Sequence, residues 1–505
     1  MQGSLDTIDI AILILYGCVM IGMGVYYARK SRTAEQFMVA DHSIPAWAAG
    51  LAVMSTYTSS ISYIATPGKA FDSNWHPIIF SLCIIPVAYL ACRFAVPYYR
   101  KRRLISVYSF LEERLGPWGR VYAALSFLLY MVGRVAVILY LVSLLLSTFV
   151  SCNIVALIVI IGLVTILYTL LGGMEAVIWT DVVQSAIMIA GVLFCVAFLS
   201  YRVLSGPEPL INAAVEQGKF SFGSWKLSLS SQSALSDRTI WVMIIFGVTE
   251  NLRNLLADQN FVQKYCCVPD ERQAKRSIWI AMLIYIPLTI LFLYIGTALF
   301  ALYSGSDELA NAGVTKGDEV FPHFIATQVP IALKGLIIAA IVAAAMSTVD
   351  SALNCSATVL LLDFYKRYFN PEVSERGSLL FLRSATVVWG AVGTGFAIWM
   401  IRASSALDVW WQISGIFGGG MLGLFILSLL EIRVRLWQGL ASIGASILVI
   451  AWATFARGLP ASWQWAECRL DPIIIGAAGT AALIAAACIF ALTNKRAATS
   501  RRAEG

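Results

Sequence analysis

Charge is scarce in this chain: 13% of its 505 residues are Asp, Glu, Lys or Arg, where a soluble domain carries about 25%. So little charge excludes an ordinary water-soluble domain. Histidine is scarcer still, with three residues and no metal-ligand spacing, so no transition-metal site is expected. The ten cysteines form no disulfide framework. Cys18, Cys83, Cys195, Cys355 and Cys488 lie in apolar stretches and read as small buried hydrophobes. Cys266 and Cys267 stand side by side in what reads as a basic loop. No stretch is long enough for a soluble domain, the longest loop being 203–237. The start, "MQGSLDTID", is acidic rather than basic, and no clear cleavage site follows, so the first apolar run is expected to stay as a helix.

What the chain has in abundance is apolar sequence. Hydrophobic residues make up 59%, and mean hydropathy is +0.77. The apolar runs are about 20 residues or longer and do not alternate, which selects membrane helices over a β-barrel. An all-α polytopic membrane protein follows. About thirteen spans are expected, near 6–28, 45–66, 77–97, 118–150, 153–171, 176–202, 238–263, 276–303, 325–362, 378–401, 406–430, 436–456 and 472–493. Loops at 28–32, 98–103, 270–276, 363–369 and 431–435, and the tail 494–502, are basic, and they alternate with neutral or acidic ones such as 304–319. The positive-inside rule places the N-terminus outside and the C-terminus in the cytoplasm. The net charge of +7 therefore reads as topology, not as affinity for nucleic acid.

Several polar residues interrupt these runs. The second span carries "AVMSTYTSSISYIATPG" (52–68), and the seventh carries "FGVTENLRNLLADQNFVQKY" (246–265). Polar helices at membrane depth must face protein or a watery cavity. Two such helices in matching places of two five-helix halves point to an inverted-repeat transporter. In "AAAMSTVDSALN" (343–354), Ser347, Asp350, Ser351 and Asn354 recur at helical spacing, with Thr348 beside them. Hydroxyls and a carboxylate are hard oxygen ligands suited to an alkali cation; serines alone could equally bond helix to helix. Asp181 could join Asp350 in a cation site, or it could be an N-terminal helix acid favoured by the macrodipole. Arg134, midway along its span, could hold a substrate carboxylate or pair with Glu250 or Asp258. Glu250 and Arg253, three apart, could neutralise each other. Tyr57 could line a cavity or simply pack.

With these residues in view, the chain resembles the sodium:solute symporter family, of LeuT-type fold, over essentially its whole length. The likeness rests on "MSTYTSSISY" (54–63), "GRVAVILYLVSL" (133–144), "LLGGMEAVIWTDVVQ" (170–184), "DQNFVQKY" (258–265) and "IIAAIVAAAMSTVDSALNCSATVLLLDFY" (337–365). "PAWAAG" (45–50), "KAFDSNW" (69–75) and the Gly133–Arg134 pair are similar to the bacterial sialic acid symporters within that family.

The resemblance implies one preceding helix (6–28), a first five-helix repeat (45–237), a second, inverted one (238–430) and two C-terminal helices (436–493). It implies a principal sodium site at Ser55, Thr58, Ala344, Ser347 and Thr348. A second cation site would use Asp181 and Ser351, with Asp350 standing where the sialic acid branch has serine. Arg134 would hold the substrate carboxylate, and Ser59, Ser60 and Ser62 would reach the sugar. Tyr57 and Ser81 replace a small hydroxyl residue and a glutamine of that branch, and the Glu250–Arg253 pair is a further departure. Asn251, on the polar seventh span, completes the expected substrate-facing set.

The expected function is sodium-coupled import of a small organic solute, a carboxylate-bearing sugar such as sialic acid, by alternating access. Na+ would be the coupling ion, with no other cofactor, no nucleic acid and no obligate protein partner. The expected location is the plasma membrane, a bacterial inner membrane. A neutral sugar, a smaller monocarboxylate, or a sensor working with a separate kinase are the alternatives. A channel would need a continuous polar pore and an enzyme a nucleophile with its base, and the sequence offers neither.

Overall fold

A computed structural model describes residues 5–29, 32–102, 105–150, 152–205, 210–225, 239–402, 406–430, 432, 434–456 and 461–503. Residues 30–31, 103, 431 and 433 of the basic loops, and 206–209 and 226–237 of the longest loop, lie outside the described residues. Among the described residues there are helices and no strands. The elements used below are α1 (Thr7–Ala28), α2 (Ala46–Tyr57), α3 (Ser60–Asp72), α4 (Ile78–Lys101), α5 (Pro117–Ser147), α6 (Ile154–Leu204) and α7 (Ile240–Ala257). After them come α8 (Gln259–Cys266), α9 (Glu271–Tyr303), α10 (Leu333–Phe369), α11 (Glu375–Arg402), α12 (Ala406–Leu429), α13 (Leu436–Phe455) and α14 (Ile475–Ala503).

Ten helices among the described residues are long and apolar enough to cross a membrane, or eleven if the bent pair Ala34–His42 and Ala46–Tyr57 is one span. Thirteen is reached only by adding the shorter apolar helices Ile154–Leu170 and Ile413–Leu429 and by reading α2 with α3 as one broken span. The difference has a physical source. A hydropathy window runs smoothly over a break in the backbone, whereas a helix of 12 or 13 residues covers less than a bilayer.

The breaks are written into the backbone. Thr58 (φ −97°, ψ 101°) and Ser59 (φ −109°, ψ 178°) are extended, ending α2 and opening α3. Ser59 then caps α3: its Oγ accepts from Ile61 N at 3.2 Å, and Ser62 Oγ accepts from Ser59 N at 3.3 Å. A second break falls at Asp258 (φ −88°, ψ 114°), after a wide π turn over Arg253–Ala257. Asp258 Oδ1 accepts from Asn260 N at 2.9 Å and so caps α8. A third lies inside α6 at Gly173, with φ 60° and ψ −154°. A Cβ there would stand 2.9 Å from Phe37 Cα, so only glycine meets both the dihedral and the space.

α10 is the axis of the molecule: 94% of its most apolar stretch is buried, against 22% for α1. α5, α6 and α11 pack around α10, while α2 and α3 pack against α9. α1 is pinned to α10 by Asp9, whose Oδ1 accepts from Ala332 N (2.9 Å) and Gly335 N (2.8 Å), backbone donors at the start of that helix. α5 is pinned to α10 by Arg120, which donates from Nε to Asp363 Oδ1 at 2.6 Å. Ile14, Leu15, Leu283 and Leu448 are exposed, as lipid-facing side chains are.

Candidate functional site: a cavity between two broken helices

Both main breaks line one cavity of about 320 Å³. Tyr57, Ser59 and Ser62 come from the first break, Ser81 from α4, and Tyr130 and Arg134 from α5. Glu250, Arg253 and Asn254 come from the second break, and Tyr285 and Thr289 from α9. Of the residues the sequence placed toward substrate, Tyr57, Ser59, Ser62, Ser81 and Arg134 line this cavity; Ser60 and Asn251 do not. Asn251 instead turns back into its helix bundle, donating to Gly247 O (2.7 Å) and Phe80 O (3.1 Å).

The two arginines differ. Arg134 donates from Nη2 to the carbonyl of Thr56 at 2.8 Å, and its Nη1 has no hydrogen-bond partner among the described residues. Neither Glu250 nor Asp258 forms an ion pair with it among the described residues. Arg253 is ion-paired: its Nη2 lies within hydrogen-bond distance of Glu250 Oε2 (2.7 Å), Tyr130 Oη (2.8 Å) and Asn254 Oδ1 (3.1 Å), while its Nε and Nη1, like Arg134 Nη1, have no hydrogen-bond partner among the described residues. Its guanidinium lies 4.3 Å over the Tyr130 ring, and Gly418 on α12 leaves room for it, since a Cβ there would stand 3.1 Å from Nη1. So Glu250 and Arg253 do neutralise each other. Apolar walls come from the Tyr57 ring, tilted against Phe261 (4.5 Å between centroids) and Tyr285 (5.1 Å). Ser81 and Thr289 share a hydroxyl–hydroxyl bond of 3.0 Å. An apolar cavity with few convergent polar groups is the shape of a small-molecule site.

The five residues of the expected sodium site, Ser55, Thr58, Ala344, Ser347 and Thr348, are all buried, on α2, its unwound end and the facing α10. Ser347 and Thr348 hydroxyls both donate to Ala344 O, at 3.1 and 3.2 Å. Their lone pairs stay free to bind a cation.

The two acids do not share their protein partners. Asp181 Oδ2 accepts from Lys264 Nζ at 2.8 Å, both side chains being fully buried, and Asp181 Oδ1 has no hydrogen-bond partner among the described residues. Asp350 accepts from Tyr168 Oη (2.8 Å), Ser351 N (2.5 Å) and Ser351 Oγ (3.1 Å). Asp181 is not a helix-terminal acid, because it lies eight residues past the Gly173 kink, inside α6. Lys264 is the residue the sequence reading passed over. It stands near a basic loop, and only the assembled fold brings it to Asp181. The same fold buries Cys266 and Cys267, which had read as loop residues.

Comparison with known proteins agrees with this architecture. The model of the sodium:solute symporter family matches residues 37–442. The chain is 33% identical over 455 residues to the sodium/sialic acid symporter SiaT of Proteus mirabilis, covering 90% of each. It is 31% identical over 475 residues to the sodium/sialic acid symporter NanT of Aliivibrio fischeri, covering 94% of this chain and 93% of that one. A solved substrate-bound, outward-open Na+-coupled sialic acid symporter, in which a novel Na+ site was found, superposes with a TM-score of 0.86 at 32% identity, over 97% of this chain and 98% of that one.

Proposed function

This chain belongs to the sodium:solute symporter family, and on that premise we propose that it imports a carboxylate-bearing sugar, a sialic acid, with Na+ as the coupling ion. The observation that carries the substrate reading is Arg134, a buried guanidinium at the cavity wall that holds a neutral carbonyl on Nη2, has no hydrogen-bond partner on Nη1 and, unlike Arg253, forms no ion pair among the described residues. A carboxylate takes both arms of a guanidinium and bonds more strongly than a neutral carbonyl. The names of the two relatives and of the solved neighbour, all sodium-coupled sialic acid carriers, point the same way.

In this reading Ser55 and Thr58 offer backbone carbonyls to Na+, and Ala344, Ser347 and Thr348 complete its shell from α10. Sodium bridges the broken α2–α3 helix to α10 and so favours the state that accepts substrate. Substrate then places its carboxylate on Arg134 and its hydroxyls against Ser59, Ser62, Ser81 and Thr289. Rocking of the broken helices against α5 and α10 opens the other side. The two five-helix repeats span 45–237 and 238–430, the N-terminus faces outside, and the membrane is a bacterial inner membrane. Asp181 and Ser351, with Asp350, are the candidate second cation position, where Lys264 already supplies one positive charge.

The test is calorimetric titration of the purified protein with N-acetylneuraminate, in NaCl and then in choline chloride. Binding that needs Na+ in the wild type and is lost in Arg134→Ala is expected. Equal binding without Na+, or undiminished binding in Arg134→Ala, contradicts the reading.

A further inference from the structure

One residue that nothing above assigns to sodium or to substrate touches both of their surroundings. Thr56 is fully buried in the last turn of α2, two residues before the break. Its carbonyl accepts from Arg134 Nη2 at 2.8 Å, and its Oγ1 accepts from Lys264 Nζ at 2.6 Å. Lys264 completes its shell with Ala52 O at 3.0 Å and Asp181 Oδ2 at 2.8 Å, so its three N–H donors meet three acceptors. Thr56 Oγ1 in turn donates to Ala52 O at 2.8 Å. A continuous polar chain therefore runs Arg134, Thr56, Lys264, Asp181, from α5 through α2 and α8 to α6.

We propose that Thr56 is the joint through which substrate binding and sodium binding sense each other, an inference that rests on the sodium-coupled, carboxylate-binding reading above. Arg134 and the Thr56 carbonyl hold each other only while no stronger acceptor is present. A substrate carboxylate on Arg134 competes for the guanidinium and loosens that carbonyl. Thr56 sits between Ser55 and Thr58, whose carbonyls are the α2 ligands in the sodium reading, so a shift of its peptide would move the sodium shell directly. The hydroxyl side keeps this movement from being free: Lys264, locked to Asp181, holds Thr56 from behind and sets where the last turn of α2 returns. Thr56 lines the cavity, but its carbonyl is taken by Arg134 and its hydroxyl by Lys264, so it acts through them as a positioning residue.

The isosteric Thr56→Val removes the Oγ1 acceptor and leaves the carbonyl and the packing. Thr56→Ser keeps the hydroxyl. The readout is linkage: the ratio of N-acetylneuraminate dissociation constants at low and at saturating Na+, measured on purified protein, beside Na+ affinity measured with no sugar present. Coupling between two sites is typically about 5–150-fold. The wild type and Thr56→Ser are expected to show a ratio of roughly 10-fold or more, and Thr56→Val a ratio under about 3-fold. Thr56→Val should still bind each ligand alone, which a merely structural defect would not allow. Full linkage in a folded Thr56→Val overturns the proposal and leaves the symporter reading intact. Loss of linkage in Thr56→Ser as well also overturns it, since the hydroxyl is then not the cause. Absence of linkage in the wild type overturns both readings together.

Discussion

The two broken helices use opposite chemistry at their breaks. Around Thr58–Ser59 the side chains are short hydroxyls, and long cations from elsewhere grip the backbone: Arg134 holds the Thr56 carbonyl, and Lys264 holds the Ala52 carbonyl. Around Asp258 the break supplies the long side chains itself. Arg253 reaches Tyr130 on α5, Gln259 bonds the 105–107 backbone, and Gln263 reaches Met38 O, Asn354 and Thr358. The first break is thus a place where carbonyls and hydroxyls are held in position yet remain able to take a new partner. The second is a set of ties that fastens α8 to its surroundings.

The strongest way to test this contrast is to cut the tie between the two breaks. Lys264→Met leaves the Asp181 carboxylate buried with no cationic partner among the described residues, and breaking such a pair costs roughly 3–5 kcal/mol. A large drop in thermal unfolding temperature in detergent is expected. Asp181→Asn combined with Lys264→Met should recover most of that stability, because no lone charge is then left.

Next in size is the difference between the two arginines. Arg134→Ala should weaken binding of N-acetylneuraminate about 30-fold or more, since losing one partner of a buried charge pair costs about 2–5 kcal/mol. Its effect on stability should be small, as only one hydrogen bond to Thr56 goes. Arg253→Gln should do the reverse, lowering stability while moving affinity far less. Equal effects of the two on affinity, read by calorimetry, would erase the distinction.

Smaller still is Ser347→Ala. It removes one hydroxyl from the proposed sodium shell and should raise the sodium concentration for half-maximal binding by about 5–10-fold, the equivalent of roughly 1 kcal/mol. Unchanged sodium affinity counts against that site. The least effect is expected from Ser59→Ala, which removes the cap on Ile61 N at a cost of about 1 kcal/mol. It should lower thermal stability slightly and weaken sugar binding modestly, and unchanged sugar affinity counts against Ser59 as a substrate contact.

Much of this arrangement is readable in the sequence, and the unreadable parts share a reason. Ser347, Asp350, Ser351 and Asn354 recur at helical spacing, and all four are buried on α10 as that spacing predicts. The hydroxyl-rich second span and the polar seventh span do break, because Ser59 and Asp258 are residues that cap helices. What spacing cannot carry is which helices touch. Asp181 and Lys264 are 83 residues apart, and Arg134 and Thr56 are 78. Nothing local distinguishes a lysine bound for a buried acid from one facing a basic loop. Nor could residue type decide between substrate and internal partners for the two arginines. The fold places Glu250 one turn from Arg253 and leaves Arg134 a carbonyl instead.

The most direct measurement is uptake of labelled N-acetylneuraminate into proteoliposomes holding the folded protein, driven by an inward sodium gradient and then with potassium in its place. Accumulation with sodium, abolished by potassium and by Arg134→Ala, is the predicted result. Accumulation that ignores the sodium gradient, or none with either ion, would contradict the account.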